Sequence, residues 1–266
     1  MTDAIQLTGV SKTYRPPRKK PYLAITDIDL AVPSGRFVAV VGPSGCGKST
    51  LLTLVAGLLP PSSGAVTLNG EPVTRVRTDV GFIFQRDALL PWKTVHENVR
   101  LPLDFRGVAA ADARERVATW LARVGLAKFA DNYPHELSGG MRKRAQLAQS
   151  MVVDPPVLLM DEPFSALDVQ TRNLMENELL DLWGAAGKTV LFITHDLEEA
   201  IALSDEIVVM TAGPGRIKAR YPVTLPRPRN VSEVRFAPEF VSLYERAWAD
   251  LRDEVTRSYE RSLEAS

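Results

Sequence analysis

The run Gly42-Pro43-Ser44-Gly45-Cys46-Gly47-Lys48-Ser49-Thr50 matches G-x-x-x-x-G-K-[ST] and directly follows the apolar stretch Phe37 to Val41. The stretch reads as a strand that delivers the chain into a phosphate-binding loop. Its glycines let the backbone curl so that N–H groups from about Gly45 to Thr50 point inward at phosphate oxygens. The helix that follows adds its positive N-terminal end. Lys48 then stands to neutralise the β and γ phosphates, and the Ser49 hydroxyl to ligate Mg²⁺. The pattern predicts a nucleoside triphosphate site.

A second strand must bring acid to the metal, and Val157-Leu158-Leu159-Met160-Asp161-Glu162 supplies four buried-type residues followed by two carboxylates. Asp161 is expected to hold Mg²⁺ through water. Strand alternation would aim Glu162 elsewhere, where it could polarise an attacking water as general base. An ordinary strand end with solvated acids looks the same locally; the upstream loop favours the chemical reading. Leu137-Ser138-Gly139-Gly140-Met141 precedes a helical run, Arg142 to Val153, and offers a hydroxyl, bare amides and a helix N-terminus to an anion. Alone, that segment is only a helix-entry turn.

The elements that position these groups read as an α/β alternation. Ile5 to Val10, Leu23 to Leu30 and Phe37 to Val41 read as strands, with a turn at Pro33-Ser34-Gly35. Between the first two lies the basic insert Arg15-Pro-Pro-Arg-Lys-Lys-Pro21, read as a solvated loop. Ser49 to Gly57 reads as a helix, and Ala65 to Leu68 with Asn69-Gly70 as a strand and tight turn. From Thr94 to about Phe129 the pattern turns helical and suggests an inserted lobe. Strands resume at Val157 to Met160 and Thr189 to Ile193, which predicts a parallel core. Beyond Gly215, Leu225-Pro-Arg-Pro-Arg229 reads as a linker. A final helix carries Phe240, Tyr244, Trp248, Leu251 and Val255 as a stripe that docks on the core.

With 266 residues and 45% hydrophobic composition, the chain can bury one substantial core and an appended lobe. Lys plus Arg and Asp plus Glu are each 32, so no overall field favours nucleic acid or an anionic membrane. Nucleic acid is not expected as a partner. Cys46, the single cysteine, excludes an internal disulfide and reads as a packing residue. No apolar run approaches the ~18–20 residues that span a bilayer, and Met1-Thr2-Asp3-Ala4 lacks a signal-peptide pattern. The expectation is a soluble cytoplasmic chain that meets a membrane only through a partner.

Taken in order, these motifs closely resemble those of the ATP-binding subunits of ABC transporters over about residues 4 to 215. Tyr14 resembles the aromatic on which adenine stacks, Gly42 to Thr50 the Walker A loop, and Gln85 the Q-loop glutamine. Leu137 to Met141 resembles the signature, Asp161-Glu162 the Walker B pair, Ser165-Ala166-Leu167-Asp168 the D-loop, and His195 in Ile193-Thr194-His195-Asp196 the switch histidine. The resemblance implies a P-loop NTPase core with an antiparallel β subdomain and a helical subdomain inserted at about 88–141. It implies a cassette over 1–215, with a linker and core-packed helix over 216–266. ATP and Mg²⁺ are the implied cofactors, with Ser49, Gln85 and Asp161 at the metal. Lys48, Gln85, Glu162 and His195 are the implied catalytic set, His195 orienting Glu162. A head-to-tail dimer would let Ser138, Gly139, Gly140 and Asp168 act in trans on the partner's nucleotide. The implied partners are membrane permease subunits and, indirectly, an extracytoplasmic solute-binding protein, with the chain peripheral at the cytoplasmic face of the inner membrane. His96 and His135 carry no implied role.

Finer resemblance points to importers of the nitrate, sulfonate and taurine group. Gln85-Arg-Asp-Ala-Leu-Leu-Pro-Trp92, Met141 and Ala212-Gly-Pro-Gly-Arg-Ile217 are similar to that group. Gln149 and Ser150 depart from the family's Ala-Arg-Ala. Leu89, Leu90 and Trp92 are expected to receive a short permease helix, local packing of the lobe being the competing explanation. Export is the nearest alternative. A soluble ABC clamp on DNA or ribosomes is more distant, because such proteins generally pair two cassettes or carry long coiled-coil insertions.

Overall fold

A computed structural model describes residues 2 to 264 except Lys19, Asp87 and Ala166. One position of the basic insert, one of the segment after Gln85 and one of the Ser165 to Asp168 turn therefore lie outside the described residues. The chain runs β1 (Asp3–Tyr14), β2 (Tyr22–Pro33), β3 (Phe37–Val41), α1 (Lys48–Val55), β4 (Ser63–Leu68), β5 (Glu71–Pro72) and β6 (Val80–Ile83). It continues through α2 (Val95–Phe105) and α3 (Ala110–Arg123), then two short helical turns, into α4 (Gly139–Met151). It returns as β7 (Val157–Asp161), α5 (Val169–Ala186), β8 (Thr189–Ile193), α6 (Leu197–Leu203), β9 (Glu206–Met210) and β10 (Ile217–Pro222), and ends in α7 (Val231–Val234) and α8 (Pro238–Glu264).

Two sheets result. An antiparallel sheet has the order β2-β1-β4-β5, and a second sheet the order β10-β9-β3-β8-β7-β6. In the second sheet, pairings from β9 to β6 are parallel, and β10 adds antiparallel to the edge. Its central strands read as near-continuous apolar runs because both of their faces are covered. Alternation along β3 feeds two cores: Phe37, Ala39 and Val41 pack with α5, α6 and α8, while Val38 and Val40 pack with α1 and the antiparallel sheet.

A third core lies in the helical lobe, where Val95, Val99, Leu103, Val117 and Leu121 meet Ala145 and Ala148 of α4. The opposite side of α4 sends Leu147 and Met151 into the sheet core. α4 thus belongs to both the lobe core and the sheet core. Gln149 and Ser150 stitch the same junction: Gln149 donates to the Asn98 carbonyl and Ser150 to the Phe82 carbonyl.

Three further features are hidden from the apolar pattern. β6 contains Gly81, where a Cβ would sit 2.8 Å from both Leu158 and Pro155. The glycine admits close packing against β7 and breaks the hydrophobic run. β10 extends the core sheet past residue 215, so a division there falls inside a hairpin. The segment expected to be a linker is a docked strap: Arg229 donates to the carbonyls of Ile201, Ala202 and Ser204 at the end of α6, and Arg227 lies 4.1 Å from the Trp183 ring centroid while pairing with Asp205. Those carbonyls are the groups a helix end leaves without partners.

The C-terminal helix does dock, but through a stripe rotated from the one expected. Phe240, Leu243, Ala247 and Leu251 are buried, whereas Trp248 and Val255 remain 39% and 41% exposed. Buried Glu254 extends that stripe by accepting a hydrogen bond from the Ala212 N–H. A small residue and an acid carry no hydrophobic signal, so periodicity missed them.

Beneath this C-terminal layer Glu176 of α5 is fully buried, with Arg235 3.6 Å away. Burial, aided by Glu199, pushes its carboxyl up to about 8 from the 4.5 of an ordinary glutamate. The native state therefore holds a proton that the unfolded chain releases, and stability falls as pH rises between those values. Glu176→Gln should raise the unfolding temperature more at about pH 8 than at about pH 5. A thermal melt series with equal shifts at both would contradict this.

Candidate nucleotide site

β3 ends at Val41 and the chain turns into the loop 42–47 before α1 begins at Lys48. Gly47 has φ +99°, and a Cβ there would lie 2.3 Å from Ile25 Cγ2 and 3.1 Å from the Ala24 carbonyl. The loop thus curls because only glycine fits. Cys46 is fully buried and packs into the core below, its thiol pushed up by burial. Lys48 Nζ donates to the carbonyls of Gly42 and Pro43 at 2.8 and 3.0 Å. The ammonium is thereby held inside the loop, satisfied by carbonyls that a phosphate could replace.

At the end of β7, Asp161 Oδ1 accepts a hydrogen bond from Ser49 Oγ at 3.0 Å. Burial pushes the Asp161 carboxyl up, and the Ser49 bond opposes that shift. The expected strand alternation does not aim Glu162, because the strand has already ended at Asp161. Its φ of +44° puts it in the left-handed region that non-glycine residues rarely adopt. That turn delivers the carboxylate to His195: Glu162 Oε2 lies 3.1 Å from His195 Nδ1 and accepts from Gln85 Nε2 at 3.0 Å.

A cleft of about 560 Å³ collects these groups, lined by Ser44, Gly45, Gly47 to Thr50, Gln85, Glu162 and His195, with Tyr14, Tyr22 and Ala24 along one side. Tyr14 stacks on Tyr22 with ring centroids 5.2 Å apart, and its hydroxyl is 3.2 Å from Thr50 Oγ1. Tyr22 escaped the sequence reading because it belongs to no motif; its register opposite Tyr14 in the β1–β2 hairpin is the signal that finds it.

Other expected site residues lie outside this cleft. Ser138 caps α4 by accepting from the Met141 N–H at 3.2 Å, and it stands exposed with Gly139 beside Gly140. Asp168 caps α5, where the Thr171 N–H holds its carboxyl below the usual range. His135 stacks on Tyr133 in the lobe. Leu89, expected at a docking pocket, is buried in the lobe core, so local packing explains it; Trp92 is 70% exposed.

The hydroxyl and carboxylate of Ser49 and Asp161 are hard oxygen donors of the kind Mg²⁺ takes alongside phosphate and water. Among the described residues no group of three or more His, Cys, Asp or Glu side chains could hold a metal by itself. A cation here would take its remaining ligands from the nucleotide and solvent.

A loop, two acids and a histidine at the strand ends of an α/β sheet define a nucleotide-hydrolysing class. The ABC transporter family model matches residues 25–165. A taurine import ATP-binding protein of Rhizobium johnstonii is 43% identical over 226 residues, covering 84% of this chain and 86% of that one. An uncharacterized ABC transporter ATP-binding protein of Methanocaldococcus jannaschii is 44% identical over 235 residues, covering 88% and 86%. A dimeric post-hydrolysis ATP-binding cassette bound to ADP and Pi superposes with a TM-score of 0.75 at 31% identity, covering 84% of this chain and all of that one. The chain belongs to the ABC transporter family.

Gly47→Ala should lose ATP affinity and about 1–3 kcal/mol of stability, the usual cost of a strained backbone residue. Wild-type melting and binding together would refute the fit described for the loop.

Proposed function

We propose that this chain couples ATP hydrolysis to uptake of a small sulfonate or comparable small anion, as the ATPase subunit of an ABC importer. The observation that carries this reading is the 43–45% identity to taurine import ATP-binding proteins, which covers 84% of the chain in one case and 74% in another. Tyr14 stacks on adenine, and the loop Gly42 to Thr50 cradles the triphosphate. Lys48 exchanges its loop carbonyls for phosphate oxygens. Ser49 and Asp161, with Gln85, would hold Mg²⁺, which would supply charge neutralisation to the phosphates. Glu162 accepts a proton from the attacking water as its oxygen bonds to the γ phosphorus and the β–γ bridge breaks, leaving ADP and phosphate. His195 keeps that carboxylate oriented.

Ser138, Gly139, Gly140 and Asp168 complete the site of a second copy. The exposure of Ser138, Gly139 and Asp168 outside the cleft, with Gly140 half-buried beside them, supports this, as do related cassettes solved as dimers. A membrane permease is the other partner, with exposed Trp92 at the contact and a solute-binding protein beyond it. Among the described residues no helix is long and apolar enough to cross a membrane. The place proposed for the chain is peripheral, at the cytoplasmic face, held by that permease.

Glu162→Gln should retain ATP binding and lower turnover by roughly a hundred-fold or more, the range of a general base's contribution. Equilibrium binding and phosphate release measured on the same preparation check it, and near-normal release would remove Glu162 from the role.

A further inference from the structure

We infer that Arg172 is a positioning residue that keeps Glu162 and His195 together by fastening the turns that follow each of them. Resting on the general-base reading above, this inference assigns a role to a side chain outside the cleft. Arg172 lies on the first turn of α5, largely buried. Its Nη2 donates to the Leu167 carbonyl at 3.2 Å. Its Nη1 donates to Asp196 Oδ2 at 3.2 Å and lies 3.5 Å from Glu199 Oε1.

Each anchor continues directly from a catalytic side chain. On one side, the Glu162 carbonyl accepts from the Ser165 N–H and hydroxyl, and Leu167 closes the turn by donating to the Phe164 carbonyl. On the other, His195 stands between Thr194 and Asp196. Thr194 donates to Glu199 at 2.5 Å, and Asp196 donates its N–H to Thr194 while its carboxylate caps α6. One guanidinium thus ties the turn after Glu162 to the cap after His195. A planar fork of donors can serve a carbonyl and a carboxylate at once, whereas a lysine ammonium on a flexible stem cannot hold both in fixed geometry.

The clamp has work to do because both clients need external support. Glu162 sits at φ +44°, a conformation that persists only where the surroundings over-determine it. His195 has a side chain 56% exposed. If the two turns moved independently, the 3.1 Å contact between Glu162 and His195 would be the first to open.

Steady-state ATP hydrolysis by Arg172→Lys tests this, with Arg172→Ala, His195→Ala and the double variant Arg172→Lys/His195→Ala alongside, each confirmed folded by thermal unfolding. Arg172→Lys retains charge beside Asp196 and Glu199 and guards against collapse of the fold. The expected result is a kcat lowered roughly ten- to hundred-fold, the scale of a misplaced catalytic group, with KM for ATP changed by less than about two-fold, a loss confined to the chemical step. Because Arg172 acts by holding the Glu162–His195 contact, which His195→Ala already removes, the double variant should be little worse than His195→Ala alone. Unchanged kcat, or multiplicative losses in the double variant, would overturn the clamp. Glu162→Gln in the same series separates the two readings. If it is inactive while Arg172→Lys is normal, only the clamp fails; if it turns over normally, the general-base reading fails and the clamp with it.

Discussion

The parallel register of β3, β8 and β7 is the constraint on which the site depends. Val40 pairs with Ile193, and Ile193 pairs with Asp161. Three chain segments distant in sequence therefore leave the sheet at one level. One enters the phosphate loop, one delivers Asp161 and Glu162, and one delivers Thr194 and His195. The backbone bond from Glu162 N–H to the Ile193 carbonyl at 2.9 Å extends this register one residue past the strand, to the acid itself. A slip of one residue would turn every side chain of a strand to the opposite face, and burial on both faces forbids it.

Energetics explain how such an edge tolerates strain. Glu162 holds an unfavourable conformation worth about 1–3 kcal/mol. Fully burying one side chain such as Phe37 or Phe192 contributes about 1.5–3 kcal/mol, and β3, β7 and β8 bury nearly every residue they contain. The sheet supplies a surplus and the site draws on it. Polar groups of the cleft hold one another meanwhile: Lys48 on loop carbonyls, Ser49 on Asp161, Gln85 on Glu162. Each of these partners can be exchanged for a nucleotide oxygen, a cation or a water at modest cost, because a hydrogen bond is replaced rather than lost.

Much of this edge is legible in the sequence because phosphate chemistry demands particular residue types at short spacing. The loop, the paired acids and the histidine could be located without coordinates. Less legible were features set by tertiary contact. The aim of Glu162 comes from a left-handed turn that alternation does not foresee. Gly81 conceals β6, and Ala247 and Glu254 conceal the true face of α8, because small and charged residues leave no hydrophobic trace even when buried. Tyr22 and Arg172 belong to no motif; each acquires meaning only from what lies across the hairpin or between two turns. α4 is hard to assign for the opposite reason, since it serves two cores and its periodicity cannot say which comes first.

The exposure of Ser138 and Asp168, away from the cleft that the other motif residues share, makes the single chain an incomplete enzyme in the proposed account. Nucleotide should then act as the adhesive between two copies. Sedimentation equilibrium of the hydrolysis-deficient Glu162→Gln protein with and without Mg²⁺ and ATP tests this most directly. The account predicts a 29.3 kDa species without nucleotide and a doubled mass with it. A mass that stays at the monomer value while ATP saturates the cleft would contradict it.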